Sequence, residues 1–124
     1  MPLFRYGWQI AGQVHQALGK GAETYITKSL GVLQENGIYA LFLYQVSPGE
    51  WERRGAEKLS KQAKALLKAV PIKPFDEIED PLEAVRGNDK TQWLAEDLDD
   101  LLLAKRLLEQ ALIYAEYHVK ALKD

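Results

Sequence analysis

The sequence contains no cysteine, which excludes disulfide scaffolds, thiolate zinc sites, iron–sulfur clusters and cysteine nucleophiles. It has no apolar run long enough to span a membrane. Its first residues lack a charged segment followed by an apolar run, so no signal peptide is expected. Neither a phosphate-binding glycine loop nor a Gly-x-Ser-x-Gly elbow occurs. We therefore expect a cytoplasmic protein that does not associate with a membrane.

Strand signals are also scarce. β-branched residues are few and never alternate over the length of a strand, whereas Ala, Leu, Glu, Lys and Gln dominate the second half. The chain has 124 residues, of which 47% are hydrophobic and 27% charged, enough for one domain with a real core. The predicted fold is all-α: a compact single-domain bundle of about five to six helices over residues 1–124.

Apolar residues at helical spacing set the predicted helices. These cover residues 6–18, 22–35, 38–44, 47–70, 80–87 and 91–122. Gly19 and Gly21 end the first helix. Asn36-Gly37 ends the second, because both residues tolerate the left-handed backbone used at helix C-termini. Residues 38–44 are all nonpolar or aromatic, which predicts a buried helix without a solvent face.

Capping and linker signals separate the later helices. Ser47-Pro48-Gly49-Glu50 has capping-box spacing, and the proline-flanked segment 71–74 is the predicted linker. The last helix has a wide apolar arc that predicts packing against several other helices. The arc contains Leu94, Leu98, Leu101, Leu108, Leu112, Ala115, Val119 and Leu122, and is widened by Leu103, Leu107, Ala111 and Tyr114.

The net charge of −2 conceals a strong asymmetry. Residues 51–73 carry a charge of +5 and residues 74–100 a charge of −8. The helix predicted over 47–70 is amphipathic, with an apolar arc of Ala56, Leu59, Ala63, Leu66, Leu67 and Val70. The opposite arc carries Arg53, Arg54, Lys58, Lys61, Lys64 and Lys68. Such a ridge predicts contact with RNA phosphates, the alternative being a solvated helix face. The acidic region 76–100 offers a surface for docking on the basic face of a neighbouring copy.

Few residues suit catalysis. Neither His15 nor His118 follows a carboxylate at helical spacing, so both are predicted to be packing or surface residues. Asp97 and Asp100 have a spacing that can hold Mg²⁺ and faintly resemble the second acidic motif of the all-α nucleotide pyrophosphohydrolases. Acids in a first helical turn more often complement the helix dipole or face solvent. We expect no enzymatic activity, metal or cofactor, with a Mg²⁺-dependent pyrophosphohydrolase as the alternative.

Two segments resemble a known family. Residues 25–43 form an aliphatic helix that ends in Asn36-Gly37 and leads into an intensely apolar helix. Residues 98–122 form a Leu/Ala-rich final helix with an aromatic residue at Tyr114. Together they resemble the small all-helical subunit of the type III-B CRISPR–Cas effector, the Cmr complex. Members of that family often have proline where this chain has Leu30-Gly31, so the small subunit of the type III-A complex stays an alternative.

The resemblance implies a non-catalytic structural subunit in antiviral defence. Several copies stack beside the backbone subunits and help to form the channel for guide and target RNA, which the backbone subunit cuts. The implied partners are the other subunits of the complex, further copies of this chain, and RNA that one copy alone binds weakly.

Overall fold

A computed structural model of the chain describes residues 3–46, 53–70, 80–81 and 98–122. The predicted capping box at 47–50, the linker at 71–74 and most of the acidic region lie outside the described residues. Asp80 is non-helical and Pro81 helical, and the rest of the helix predicted over 80–87 lies outside the described part. Residues 91–97 of the predicted last helix lie outside it as well.

The fold of the described residues is all helical, which confirms the predicted class. The elements are α1 (Leu3–Leu18), a short 3₁₀ helix (Gly19–Gly21), α2 (Ala22–Val46), α3 (Arg53–Ala69) and α4 (Leu98–Leu122). The predicted count of five to six helices is not matched by these four α-helices. α1 packs mainly against α4 and α3, and α2 packs mainly against α4. None of the described helices combines the length and the apolar composition that a membrane-spanning helix requires.

Glycines end helical segments at both predicted breaks. α1 ends at Leu18, and Gly19 follows with φ of 59°, in the left-handed region. Within α2, Gly37 has φ of 91° and ψ of −176° and separates two arms, residues 22–36 and 38–46. The Nζ of Lys105 in α4 donates a hydrogen bond to the carbonyl oxygen of Gln34 at 3.3 Å. This contact satisfies one of the carbonyls left free where the first arm ends.

The two arms of α2 fold back on each other at Gly37. The rings of Tyr25 and Tyr44 stack with centroids 5.8 Å apart and planes inclined by 17°. In a continuous helix these two residues would lie about 28 Å apart. The stacking therefore requires a sharp reversal, and the backbone conformation of Gly37 supplies it.

Replacing Gly37 with alanine is expected to lower the free energy of unfolding by about 2 kcal/mol, because only glycine adopts this conformation without strain. An added Cβ would meet nothing within 4 Å, so the whole cost lies in the backbone. Gly31→Ala is the matched control: it lies inside the first arm, its Cβ would also have free space, and its φ is not positive. There, alanine should raise stability by about 0.5–1 kcal/mol. Equal effects of the two substitutions in urea titrations would contradict the strained reversal.

The core joins all four helices. Its largest fully buried side chains include Tyr25, Phe42, Ile10, Leu41 and Leu108. The prediction that residues 38–44 have no solvent face is wrong, because Leu43 is 42% exposed and Tyr39, Ala40 and Tyr44 are only half-buried. Ile38, Leu41 and Phe42 are buried in the core, whereas the opposite side of this arm meets solvent despite its composition.

The apolar arc of α4 is narrower than its sequence predicted. Ala104, Leu108, Ala111, Leu112, Ala115 and Val119 are buried. In contrast, Leu103, Tyr114 and Leu122 are exposed by 42%, 39% and 43%. Neighbouring helices therefore cover only part of the circumference that the sequence made apolar.

Candidate nucleic-acid interface

The cationic side of α3 is set by how the helix packs. The predicted apolar arc lies in the core, with Leu59, Leu66 and Leu67 almost completely buried and Val70 packed against it. At the start of the helix, Gly55 lies against the side chain of Leu18, so close that an added Cβ would overlap it. The beginning of α3 therefore meets the end of α1. This packing directs the opposite arc of α3 outward.

The cationic face of α3 consists of Arg53, Arg54, Lys58, Lys61, Lys64 and Lys68. All are exposed except Lys64, which is half-buried at the edge of the face. The six side chains span about 22 Å of helix. Glu57 is the only acid in α3. The structure thus brings all six predicted residues onto one exposed side of a single helix.

Local compensation of this charge is slight. Within the described part of the chain, no salt bridge reaches Arg53, Arg54, Lys58, Lys61 or Lys64. An ion pair between Lys120 Nζ and Glu116 Oε1, 3.4 Å apart, lies on α4. Cations one turn apart on a helix repel each other, and each such pair costs a few tenths of a kcal/mol. An incoming polyanion would remove that repulsion.

A groove runs beside the cationic face, between α1 and α3. It has a volume of about 430 Å³ and is lined by Gln13, Gln16, Ala17, Arg54, Glu57 and Lys58. The two glutamine side chains supply amide donors and acceptors next to two cations. Sequence reasoning missed both glutamines, because the residues that α1 presents to α3 depend on how the helices pack. The groove therefore brings two cations, Arg54 and Lys58, and one carboxylate, that of Glu57, next to the amides of α1.

The acidic residues form no metal site among the described residues. Asp99 is exposed and Asp100 half-buried at the start of α4, while Asp97 lies outside the described part. In the described ranges, no group of three or more acids or histidines is placed to hold a metal ion.

The two histidines have different surroundings. His118 packs against the ring of Trp8, with centroids 4.9 Å apart and planes at 68°. His15 is half-buried near the end of α1. Both histidines are thus half-buried, and His118 is in contact with an aromatic ring.

Comparison with known proteins adds no relative: no protein-family model, no curated protein and no solved structure matches the chain.

Proposed function

We propose that the protein is a non-catalytic structural subunit of a ribonucleoprotein complex and contacts RNA phosphates through the cationic face of α3. One observation carries the proposal: the cationic side chains of that face are mostly exposed, and α3 contains few acids. Solvated helix faces usually alternate the two signs of charge and gain from pairs one turn apart. α3 has a single acid, Glu57, so pairs of opposite charge stabilise it little. A polyanionic partner that pairs with the cations explains why α3 contains so few acids.

The spacing of the cations suits a phosphate backbone. Arg54, Lys58 and Lys61 stand at i, i+4 and i+7, so they form one stripe about 10 Å long. Contacts of this kind carry no base information, so binding should depend little on sequence. A single copy engages few phosphates, and the chain's net charge of −2 opposes approach. Affinity should therefore grow when several copies line one strand.

The resemblance of residues 25–43 and 98–122 leads us to propose a specific assembly, the type III-B CRISPR–Cas effector of the cytoplasm. There the chain would stack in several copies beside the other subunits, with the guide and target RNA as its nucleic-acid partner. The type III-A complex is the alternative assembly. The proposal keeps one domain of five to six helices over residues 1–124, in which the helix predicted over 80–87 is a further helix and the one predicted over 91–122 contains α4.

Reversing three charges of the face tests the proposal. The triple variant Arg54→Glu, Lys58→Glu, Lys61→Glu should bind single-stranded RNA much more weakly than the unaltered protein, equally for all sequences. Loss of three phosphate contacts should flatten the slope of log affinity against log salt by about 2 units. Fluorescence anisotropy with a labelled oligonucleotide between 50 and 200 mM salt, roughly the range in which phosphate contacts dominate affinity, gives both quantities.

The matched control makes the same change of net charge at positions outside α3. Lys20, Lys28 and Arg106 are exposed and lie outside α3, so Lys20→Glu, Lys28→Glu, Arg106→Glu changes the net charge equally. It should keep most of the RNA affinity. Equal weakening by both triple variants would indicate a general charge effect and contradict a defined face. Mg²⁺-dependent hydrolysis of nucleoside triphosphates by the purified protein would favour the pyrophosphohydrolase instead.

A further inference from the structure

An aromatic strip lies exposed where α1 meets α4. It consists of the exposed side chains of Trp8 on α1 and of Tyr114 and Tyr117 on α4, with the half-buried His118 between the two helices. Trp8 is 63% exposed, Tyr117 69% and Tyr114 39%. Large aromatic side chains left in solvent side by side mark a binding surface more often than scattered single residues do.

The close approach of the two helices builds the strip. A Cβ added to Gly7 would fall 2.5 Å from the Cβ of Tyr114 and 2.9 Å from the carbonyl oxygen of Ala111. The bare backbone of Gly7 thus lets α1 lie directly on α4, and the next residue, Trp8, meets the ring of His118 edge-on. Tyr114, Tyr117 and His118 follow at i, i+3 and i+4, so they share one side of α4.

Cations flank these rings. Arg5 is exposed and stands one turn before Trp8 on the same side of α1. The Nζ of Lys120 lies 5.9 Å from the ring centroid of Tyr117 and 3.4 Å from Glu116 Oε1. Two cations against one acid favour an anionic ligand over a neutral one. The exposed leucines 102 and 103 lie about 17 Å away, towards the start of α4, whereas Leu122, 43% exposed, follows His118 by one turn. The strip therefore combines aromatic rings with one leucine at its end.

The outer side of α1 connects the strip to the cationic face of α3. Arg5, Trp8, Gly12 and Gln16 are exposed and follow one another at helical spacing along this side. Gln16 lines the groove with Arg54 and Lys58, about 12 Å along the helix from Trp8. A single strand with phosphates against α3 can therefore reach the strip along an open path.

We propose that the aromatic strip stacks unpaired bases of single-stranded RNA, while α3 holds phosphates of the same strand. This inference rests on the proposed function, since it assumes that RNA is the ligand. Aromatic rings beside cations are the usual platform for bases in single-strand binders, and stacking tolerates any base because every base has a π-face. The strip adds affinity for bases and leaves the number of phosphate contacts unchanged.

The test separates bases from phosphates. The double variant Trp8→Leu, Tyr117→Leu keeps apolar side chains at two mostly exposed positions, so its thermal unfolding should match that of the unaltered protein. Its affinity is measured for an oligouridylate and for an abasic phosphodiester of equal length. Affinity for the oligouridylate should fall by about 5- to 150-fold per stacked base, and affinity for the abasic strand should not change. Trp8→Phe, Tyr117→Phe should recover most of the loss.

Other outcomes distinguish base stacking by the strip from the phosphate contact proposed for α3. Leu102→Ala, an exposed control on α4, should change neither affinity. The α3 triple variant should weaken binding to both strands. An equal loss on both strands in the leucine double variant, or no loss, overturns the stacking site and leaves the phosphate role standing. Binding of neither strand by the unaltered protein overturns both. Reduced self-association in sedimentation with RNA binding unchanged would assign the strip to a second copy.

Discussion

Leu41→Ala is expected to lower the free energy of unfolding by about 2–5 kcal/mol. Leu41 is 1% exposed and belongs to the core that the second arm of α2 completes. Truncation to alanine removes buried methyl groups and leaves a cavity, because the surrounding core relaxes only partially. The cost is a large part of the stability of a domain this size. Urea titration followed by circular dichroism measures it directly.

Leu43→Ala is the control for this prediction. Leu43 lies two residues further along the same arm, so it points to the other side of the helix, and it is 42% exposed. The identical substitution should cost about 1 kcal/mol or less there. Comparable losses at the two positions would show that the second arm is buried on all sides, and would contradict the packing described above.

Gly7→Ala is expected to cost about 3 kcal/mol, the upper part of the range for overpacked cores. The added Cβ would meet the Cβ of Tyr114, the carbonyl oxygen of Ala111 and the backbone nitrogen of Ala115, the last at 3.0 Å. None of these atoms can rotate away, because two belong to the backbone and the third is fixed to it. Relief therefore requires α1 to move off α4, with loss of packing along the whole contact.

The control for Gly7→Ala is Gly12→Ala in the same helix. Gly12 is exposed, and a Cβ there would meet nothing within 4 Å. Alanine should stabilise the helix by about 0.5–1 kcal/mol, because glycine loses more backbone entropy on folding. Two substitutions of one kind on one helix should thus act in opposite directions in thermal unfolding. Stabilisation by both would show that α1 and α4 do not approach closely at Gly7.

Sequence reasoning succeeded where structure depends on neighbouring residues. The breaks at Gly19 and at Gly37 follow from residues that accept positive φ, and both glycines have it. The buried and exposed arcs of α3 also follow from its sequence, because apolar and cationic residues alternate with the helical period. Such signals need no information from distant parts of the chain. The RNA role of the cationic face stays a prediction that the charge-reversal variants test.

The tertiary structure alone decided which helix surfaces meet. Nothing near residue 37 in sequence indicates that Tyr25 stacks on Tyr44, and nothing near Trp8 indicates that its neighbour is His118. Both contacts bring together residues far apart along the chain, and they depend on packing that no local pattern encodes. A helix that is apolar all round, as in residues 38–44, gives no sign of which side solvent will reach. Leu43 is exposed because the packing of the described helices leaves its side of the second arm uncovered.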